Sequence, residues 1–373
     1  MKIGVFHPSF YNFGGGEFVA LVVVNSLANN GYDVELLTSK RIKQDQVEKM
    51  MGERIASSVK MIFQPSYTIP GGSLDLFPTV YHSLVLKSKC DILVDTYSNC
   101  VFPWTDVCYV HFPFLNRYDY KKDFPYLKHR QVRTLSGLPY LLYARKAQNY
   151  ESKLVIANSL FTANFIKEFI DVDAKVIYPP VASKSFKRPQ HSKRDASREN
   201  LVVTVSRFSA DKKLEIIPYV AEQTEKEVRF VIIGLLHEDK VYEALIRSVK
   251  KLGLTEKVKI MPNAPKKELE DILRRAKIYL HTTPQEHFGI SIVEAMGLGC
   301  IPITHNSGGM TEFVPDRYRY ENLQDAVTKI NLAIDEWNPR VAEDMAKIAQ
   351  QFSENNFSEN FIETFSSFVE QRA

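Results

Sequence analysis

Lys277-Ile-Tyr-Leu-His281, Thr282-Thr283-Pro284 and Gln285-Glu286-His287-Phe288-Gly289-Ile290-Ser291-Ile292-Val293-Glu294-Ala295-Met296 decide the fold of this chain. The first five residues are short, apolar and β-prone, which predicts a buried strand. Thr282, Thr283 and Pro284 end it, and helix formers follow Gly289. A strand, a loop and a helix start form the unit that places a ligand at the carboxyl end of a parallel sheet. Backbone N–H groups at such a start favour anions. Glu286 falls in the loop, and Glu294, eight positions on, stands about two turns along the helix on a nearby face. Either glutamate alone reads more simply as a solvated helix charge. Carboxylates do not grip phosphate, but they accept hydrogen bonds from sugar hydroxyls. The combination describes a nucleotide sugar, with phosphates at the helix end and hydroxyls on the acids.

Further along stand Gly297, Gly299, Pro302 and then Ser307-Gly308-Gly309 with Glu312. Taken with Glu286 and Glu294, this pattern resembles the signature of the retaining glycosyltransferases of family 4. Glu286-His-Phe-Gly-Ile290 and His305-Asn-Ser-Gly-Gly309 are especially similar to the wording of the dolichol-pathway α-1,2-mannosyltransferase type within that family. The resemblance implies an α/β protein of GT-B fold, two Rossmann-like parallel-sheet domains facing a central cleft.

With 373 residues the chain is long enough for two domains with separate cores. An apolar fraction of 45% and a charged fraction of 25% are ordinary for a soluble globular protein. A net charge of +4 does not imply wholesale nucleic-acid binding. Cys90, Cys100, Cys108 and Cys300 lack metal-ligand spacing and suggest reduced residues of a cytosolic protein. Met1 leads straight into a strand with no signal peptide, and the run Phe18 to Val24 is too short to span a bilayer. The expected location is cytoplasmic.

The chain opens with a strand at Lys2–Phe6, a loop, and Gly14-Gly15-Gly16-Glu17 before an apolar helix from Phe18 to Leu27. A second strand runs from Tyr32 to Thr38. Glycines at this first turn allow a backbone to approach a phosphate or sugar, although their spacing is not that of a dinucleotide fingerprint. They resemble the family's Gly-Gly-x-Glu loop, which assigns Gly15 and Gly16 to donor binding. Strands follow at Asp91–Asp95 and Val107–His111. His111 ends a buried strand on the ligand side, and by resemblance it orients a sugar hydroxyl.

From Phe112 to Tyr150, basic residues such as Arg117, Lys121, Lys122 and Arg130 alternate with aromatic ones such as Tyr118, Tyr120 and Phe124. Such interleaving suits an anionic membrane surface or a pyrophosphate-linked lipid acceptor, and it suits a solvated basic face equally well. The first domain is expected over 1–181, joined by a C-terminal helix at about 354–373 that carries Phe357, Phe361, Phe365 and Phe368. The polar stretch 182–200 reads as a linker, and the second domain as 201–353. By resemblance the first domain binds acceptor and the second binds the nucleotide sugar.

The second domain restarts at Leu201–Val205, followed by Ser206-Arg207-Phe208-Ser209-Ala210-Asp211-Lys212-Lys213. Two cations five apart at a strand-to-helix turn suit a diphosphate, Arg207 as a fork and Lys212 as a point charge. The phrase departs from the family pattern in placing Ser206 and Lys213 where glycines are usual. The resemblance assigns catalysis to Glu286, Arg207, Lys212 and His111. It assigns the donor to Gly15, Gly16, Arg207, Lys212, Glu286, His287, Phe288, Gly289, Ile290 and Glu294, with Glu294 on the ribose.

The reaction expected is transfer of a hexose with retention, mannose from GDP-mannose being favoured, to a glycan or lipid-linked saccharide acceptor. Peripheral membrane association would go through residues 112–150. No metal or other cofactor is expected, and Asp171-Val-Asp173 reads as a surface turn. The rival readings are a GT-B sugar-nucleotide epimerase and a non-catalytic nucleotide-sugar-binding subunit.

Overall fold

The computed structural model describes residues 1–8, 10, 14–39, 41–63, 77–97, 101–102, 104–113, 150, 152–182, 186, 198–225 and 227–372. The chain forms two units, Met1–Val181 with Glu354–Ala373, and Ala182–Ser353.

In the first unit the strands are β1 (Lys2–Phe6), β2 (Asp33–Thr38), β3 (Lys60–Phe63), β4 (Ile92–Asp95), β5 (Val107–Val110), β6 (Leu154–Ala157) and β7 (Lys175–Val176). Its helices are α1 (Gly15–Asn29), α2 (Gln44–Met51), α3 (Phe77–Lys87) and α4 (Leu160–Ile170). The sheet is parallel in the order β3-β2-β1-β4-β5-β6-β7. The short runs Ile-Leu-Val and Val-Cys-Tyr-Val are buried on both faces, as parallel strands require. Helix α1 buries every residue from Phe18 to Val24, because the sheet takes one side and the C-terminal helix Glu354–Glu370 takes part of the other. Phe357, Phe361 and Phe365 of that helix are buried, Phe365 lying edge-on to Tyr32 at 5.4 Å. Ser26 Oγ donates to Ser358 Oγ at 2.8 Å, and Arg372 pairs with Asp106 at 2.9 Å. The periodic phenylalanines thus tie the end of the chain to its beginning.

In the second unit the strands are β8 (Glu199–Val205), β9 (Arg229–Gly234), β10 (Val258–Pro262), β11 (Ala276–Leu280), β12 (Ile301–His305) and β13 (Arg319–Tyr320). Its helices are α5 (Ile217–Gln223), α6 (Asp239–Lys251), α7 (Lys266–Arg275), α8 (Ile290–Gly297), α9 (Leu323–Glu336) and α10 (Pro339–Gln350). The order β10-β9-β8-β11-β12-β13 is again parallel. Both sheets reverse strand order once, between β1 and β4 and between β8 and β11. These are the points where an open parallel sheet leaves a crevice beyond its strand ends.

The polar stretch expected as a linker up to residue 200 ends earlier. Glu199 and Asn200 already belong to β8, and Glu199 is held by Arg275 at 2.7 Å and Arg229 at 2.8 Å. Arg198 donates to the carbonyls of Ala276 at 2.7 Å and Leu298, and its guanidinium lies 5.3 Å over Trp337. Composition marked these residues as solvated, whereas the Arg198 guanidinium satisfies carbonyls at the ends of α7 and α8 and Glu199 is neutralised by two arginines. The basic and aromatic stretch from 112 to 150 falls almost entirely outside the described residues, as does Cys100.

Candidate active site

The reversal between β8 and β11 brings two sequence-distant turns together. After β8, Ser206 and Phe208 continue alongside β9: Ser206 N donates to Ile233 O at 2.9 Å and Phe208 N to Leu235 O at 2.9 Å. Gly234 is required here, because a Cβ on it would collide with the Ser206 backbone. A 3-10 turn over Ala210–Lys212 follows, ending at Lys213 with φ 54° and ψ 32°. A left-handed backbone is costly for a lysine, which explains why glycine is the familiar choice at this position.

After β11, Thr282 Oγ1 donates to Lys212 O at 2.6 Å and stitches the two turns together. Lys212 Nζ then reaches Glu286 Oε2 at 2.9 Å, with 18% and 19% of the two side chains exposed. His281 is 4% exposed, and its Nε2 lies 3.4 Å from the same carboxylate oxygen. Burial by itself would raise the Glu286 pKa, but Lys212, then His281 and His287, hold it well below the usual carboxylate range. Glu286 is therefore anionic at neutral pH.

The loop carrying Glu286 is braced by the turn after β12. Gln285 N donates to Ser307 Oγ at 2.8 Å, and Gly309 N donates to Glu286 O at 2.8 Å. His305 Nδ1 meets Ser307 Oγ at 2.7 Å. Gly308, at φ 82°, lies so close that a Cβ would strike the Glu286 backbone. This accounts for Ser307-Gly308-Gly309 in the sequence: the small turn backs the acidic loop. Gly289 caps α8 at φ 98°, where glycine is free of steric cost.

Phe288 is expected to offer the diphosphate its backbone amide, and its ring serves the core. The side chain is 2% exposed and lies against Phe313 and Phe352 at 5.1 and 5.2 Å, so only its backbone is available to a ligand. The other loop residues assigned to the donor, His287 and Ile290, are partly buried. Arg207 is 44% exposed and sits 3.8 Å from Asp211. It flanks the same turn as Lys212 but faces solvent. Glu294 lies on α8, and burial pushes its pKa up to about 7, with Lys266 opposing and Glu270 adding to the rise. Burial, and the charges of Glu294 and Glu286, also raise the Tyr279 hydroxyl. That hydroxyl donates to Val205 O at 3.1 Å and shares a 2.8 Å hydrogen bond with Ser291 Oγ.

His281 was not singled out from the sequence. The signal was present, since it ends a buried strand at the carboxyl edge as His111 does in the first unit.

In the first unit the corresponding reversal lies between β1 and β4. His7, after β1, meets Thr96 Oγ1, after β4, at 3.0 Å. His111 Nε2 lies 3.1 Å from Thr96 O. A carbonyl can only accept, so His111 carries its proton on Nε2 and leaves Nδ1 as an acceptor. Burial lowers its pKa, with the Thr96 bond opposing, which favours a neutral ring. Gly15 opens α1 and Gly16 lies beside the His111 ring, a Cβ there standing 3.5 Å from Nε2. Glu17 Oε2 accepts from Gly14 N at 3.0 Å and so fixes the glycine turn. Asp171 and Asp173 both pair with Lys167, at 2.8 and 3.0 Å, in an exposed turn. Among the described residues, no group of three or more His, Cys, Asp or Glu side chains could hold a metal ion.

Residues 186–352 match the family model of glycosyl transferases group 1. The second unit is a group 1 glycosyl transferase domain. The whole chain is similar to the GDP-Man:Man(3)GlcNAc(2)-PP-Dol α-1,2-mannosyltransferase of Dictyostelium discoideum, 25% identical over 100% of this chain and 85% of that protein. The Xenopus laevis protein of the same name is 26% identical over 96% of this chain and 86% of its own length. Among solved structures, Anabaena Alr3699/HepE in complex with UDP matches with a TM-score of 0.74 at 19% identity, covering 98% of this chain and 100% of that one. The fold of this glycosyltransferase is GT-B, as the sequence implied.

Proposed function

We propose that this glycosyltransferase moves mannose from GDP-mannose to a lipid-linked saccharide, retaining the anomeric configuration. The observation that carries the reading is a cation and an acid, Lys212 and Glu286, brought within 2.9 Å at the reversal point of the second sheet. A diphosphate leaving group gathers negative charge as the glycosidic bond breaks, and Lys212 with Arg207 offers the charge that stabilises it. Each contact to a charged oxygen contributes about 1.5–3 kcal/mol, or roughly 10–150-fold if expressed fully in the transition state. Glu286 takes hydroxyls of the sugar, and Glu294 those of the ribose. His111 adds an acceptor nitrogen for a hydroxyl. Mannose and a dolichol-linked acceptor are favoured because relatives matching 96–100% of the chain carry that activity in their names. No helix among the described residues is long and apolar enough to cross a membrane. A lipid-linked acceptor would be met through peripheral association. The catalytic scheme needs no metal.

Transfer and donor hydrolysis measured against GDP-mannose, UDP-glucose and UDP-N-acetylglucosamine test this. Turnover with GDP-mannose is expected. Turnover with a UDP sugar alone refutes the donor, and release of a free 2-epimeric sugar without acceptor reveals an epimerase.

A further inference from the structure

We propose that His281 is a positioning residue that holds the Glu286 carboxylate in place while Lys212 moves from that carboxylate onto the diphosphate of an incoming nucleotide. The inference rests on the reading of Lys212 as the diphosphate ligand and adds what happens to the partner it leaves.

Lys212 is engaged with Glu286 at 2.9 Å. A nucleoside diphosphate carries more negative charge than one carboxylate, so it competes for the ammonium at close range. Without a replacement, Glu286 becomes a largely buried anion lacking a cation, and such groups take up a proton or turn away. His281 stands ready for that role. It is 4% exposed, its Nε2 has no hydrogen-bond partner within good geometry, and that nitrogen lies 3.4 Å from the Glu286 oxygen that Lys212 holds. The His281 backbone is fixed by two hydrogen bonds and its ring lies beside one aromatic neighbour. His281 N donates to Ile303 O at 2.9 Å, His281 O accepts from Tyr320 Oη at 3.0 Å, and the ring is parallel to Tyr279 within 17°. A carboxylate shift of about 0.6 Å would close the gap to a full charge-assisted hydrogen bond. Release by Lys212 permits that shift.

Among the described residues, the titratable groups facing Glu286 are Lys212 from the turn after β8, Tyr279 of β11 and His281 just after it, and His287 on its own loop. The turn after β12 contributes only the Gly309 amide to the Glu286 backbone. Of these, His281 alone combines burial with an approach to the carboxylate oxygen that Lys212 would leave.

Proton linkage tests the exchange. Binding of GDP and of UDP to the full chain is measured calorimetrically at pH 7.5 in buffers of different ionisation enthalpy, for wild type, His281→Gln, His281→Asn, His281→Phe and Lys212→Ala. The difference from wild type cancels the protons of the nucleotide itself. Gln can place an N–H where Nε2 stands, while Asn is too short and Phe has no donor. His281→Gln is expected to match wild type, and His281→Asn and His281→Phe to take up about half a proton or more per nucleotide, as Glu286 neutralises on losing Lys212. Asn and Phe differ in size, so either one that unfolds cooperatively serves. Uptake equal to wild type in these variants, with nucleotide binding lost in Lys212→Ala, overturns the role of His281 alone. Unchanged binding in Lys212→Ala overturns the diphosphate reading itself, and the exchange with it.

Discussion

Lys212 Nζ and Glu286 Oε2, 74 residues apart in the chain, meet at 2.9 Å where the second sheet reverses its strand order. The pair lies between the surface regime, where ion pairs contribute little, and the fully buried one, where losing a partner is severe. Lys212→Ala is expected to lower stability by about 1–3 kcal/mol and kcat/KM by roughly tenfold to a hundredfold or more. The direction with pH follows from the depressed Glu286 pKa. The stabilisation is present above the ordinary carboxylate pKa and is lost as pH falls through the folded value. Urea unfolding from about pH 2 to pH 8 checks this: the wild type keeps its advantage over Lys212→Ala down to the ordinary carboxylate pKa and loses it below that. An advantage independent of pH contradicts it.

Glu294 has the opposite linkage. Its pKa is raised to about 7, so the folded chain holds this proton more tightly than the unfolded chain. Relative to Glu294→Gln, the wild type should be stable near pH 4 and lose on the order of 2 kcal/mol as pH rises to about 7. Thermal unfolding of both proteins across that range measures the difference. A gap that widens in favour of wild type with rising pH would mean that a cation, and not burial, controls this acid.

Gly308 is a backbone test of the acidic loop. At φ 82° and against the Glu286 backbone, alanine is strained and collides at once. Gly308→Ala should cost about 1–3 kcal/mol and displace Glu286, reducing kcat by roughly a hundredfold. Activity near wild type shows that the loop position is not critical.

Gly16 separates packing from function in the first unit. A Cβ there meets His111 Nε2 at 3.5 Å, an ordinary contact, so Gly16→Ala should fold with a Tm close to wild type. If the backbone must approach the donor or acceptor, KM rises several-fold in the same variant. An unchanged KM would leave this glycine a purely conformational role.

Much of this was legible in the sequence, for identifiable reasons. The parallel strands read as continuous apolar runs because both faces are covered, and Glu286, Gly289 and Ser307-Gly308-Gly309 announce a loop that needs a small turn behind it. What the linear chain concealed were pairings at long separation. Lys212 was read as a diphosphate ligand and Glu286 as a sugar ligand, and nothing local shows that each neutralises the other. Arg198 and Glu199 looked solvated because their partners lie 30 or more residues away, some of them backbone carbonyls with no side-chain signature. Phe288 sits in a loop phrase that suggests ligand contact, yet its ring serves the core. Lys213 shows a position where the backbone requirement survived a change of residue: it keeps the left-handed conformation of a glycine at φ 54°.

A crystal structure of the chain with GDP tests the central claim most directly. The diphosphate is expected on Lys212 and Arg207, with Lys212 Nζ drawn away from Glu286 and the carboxylate held against His281 Nε2. GDP bound elsewhere, or on this turn with Lys212 still paired to Glu286, would contradict it.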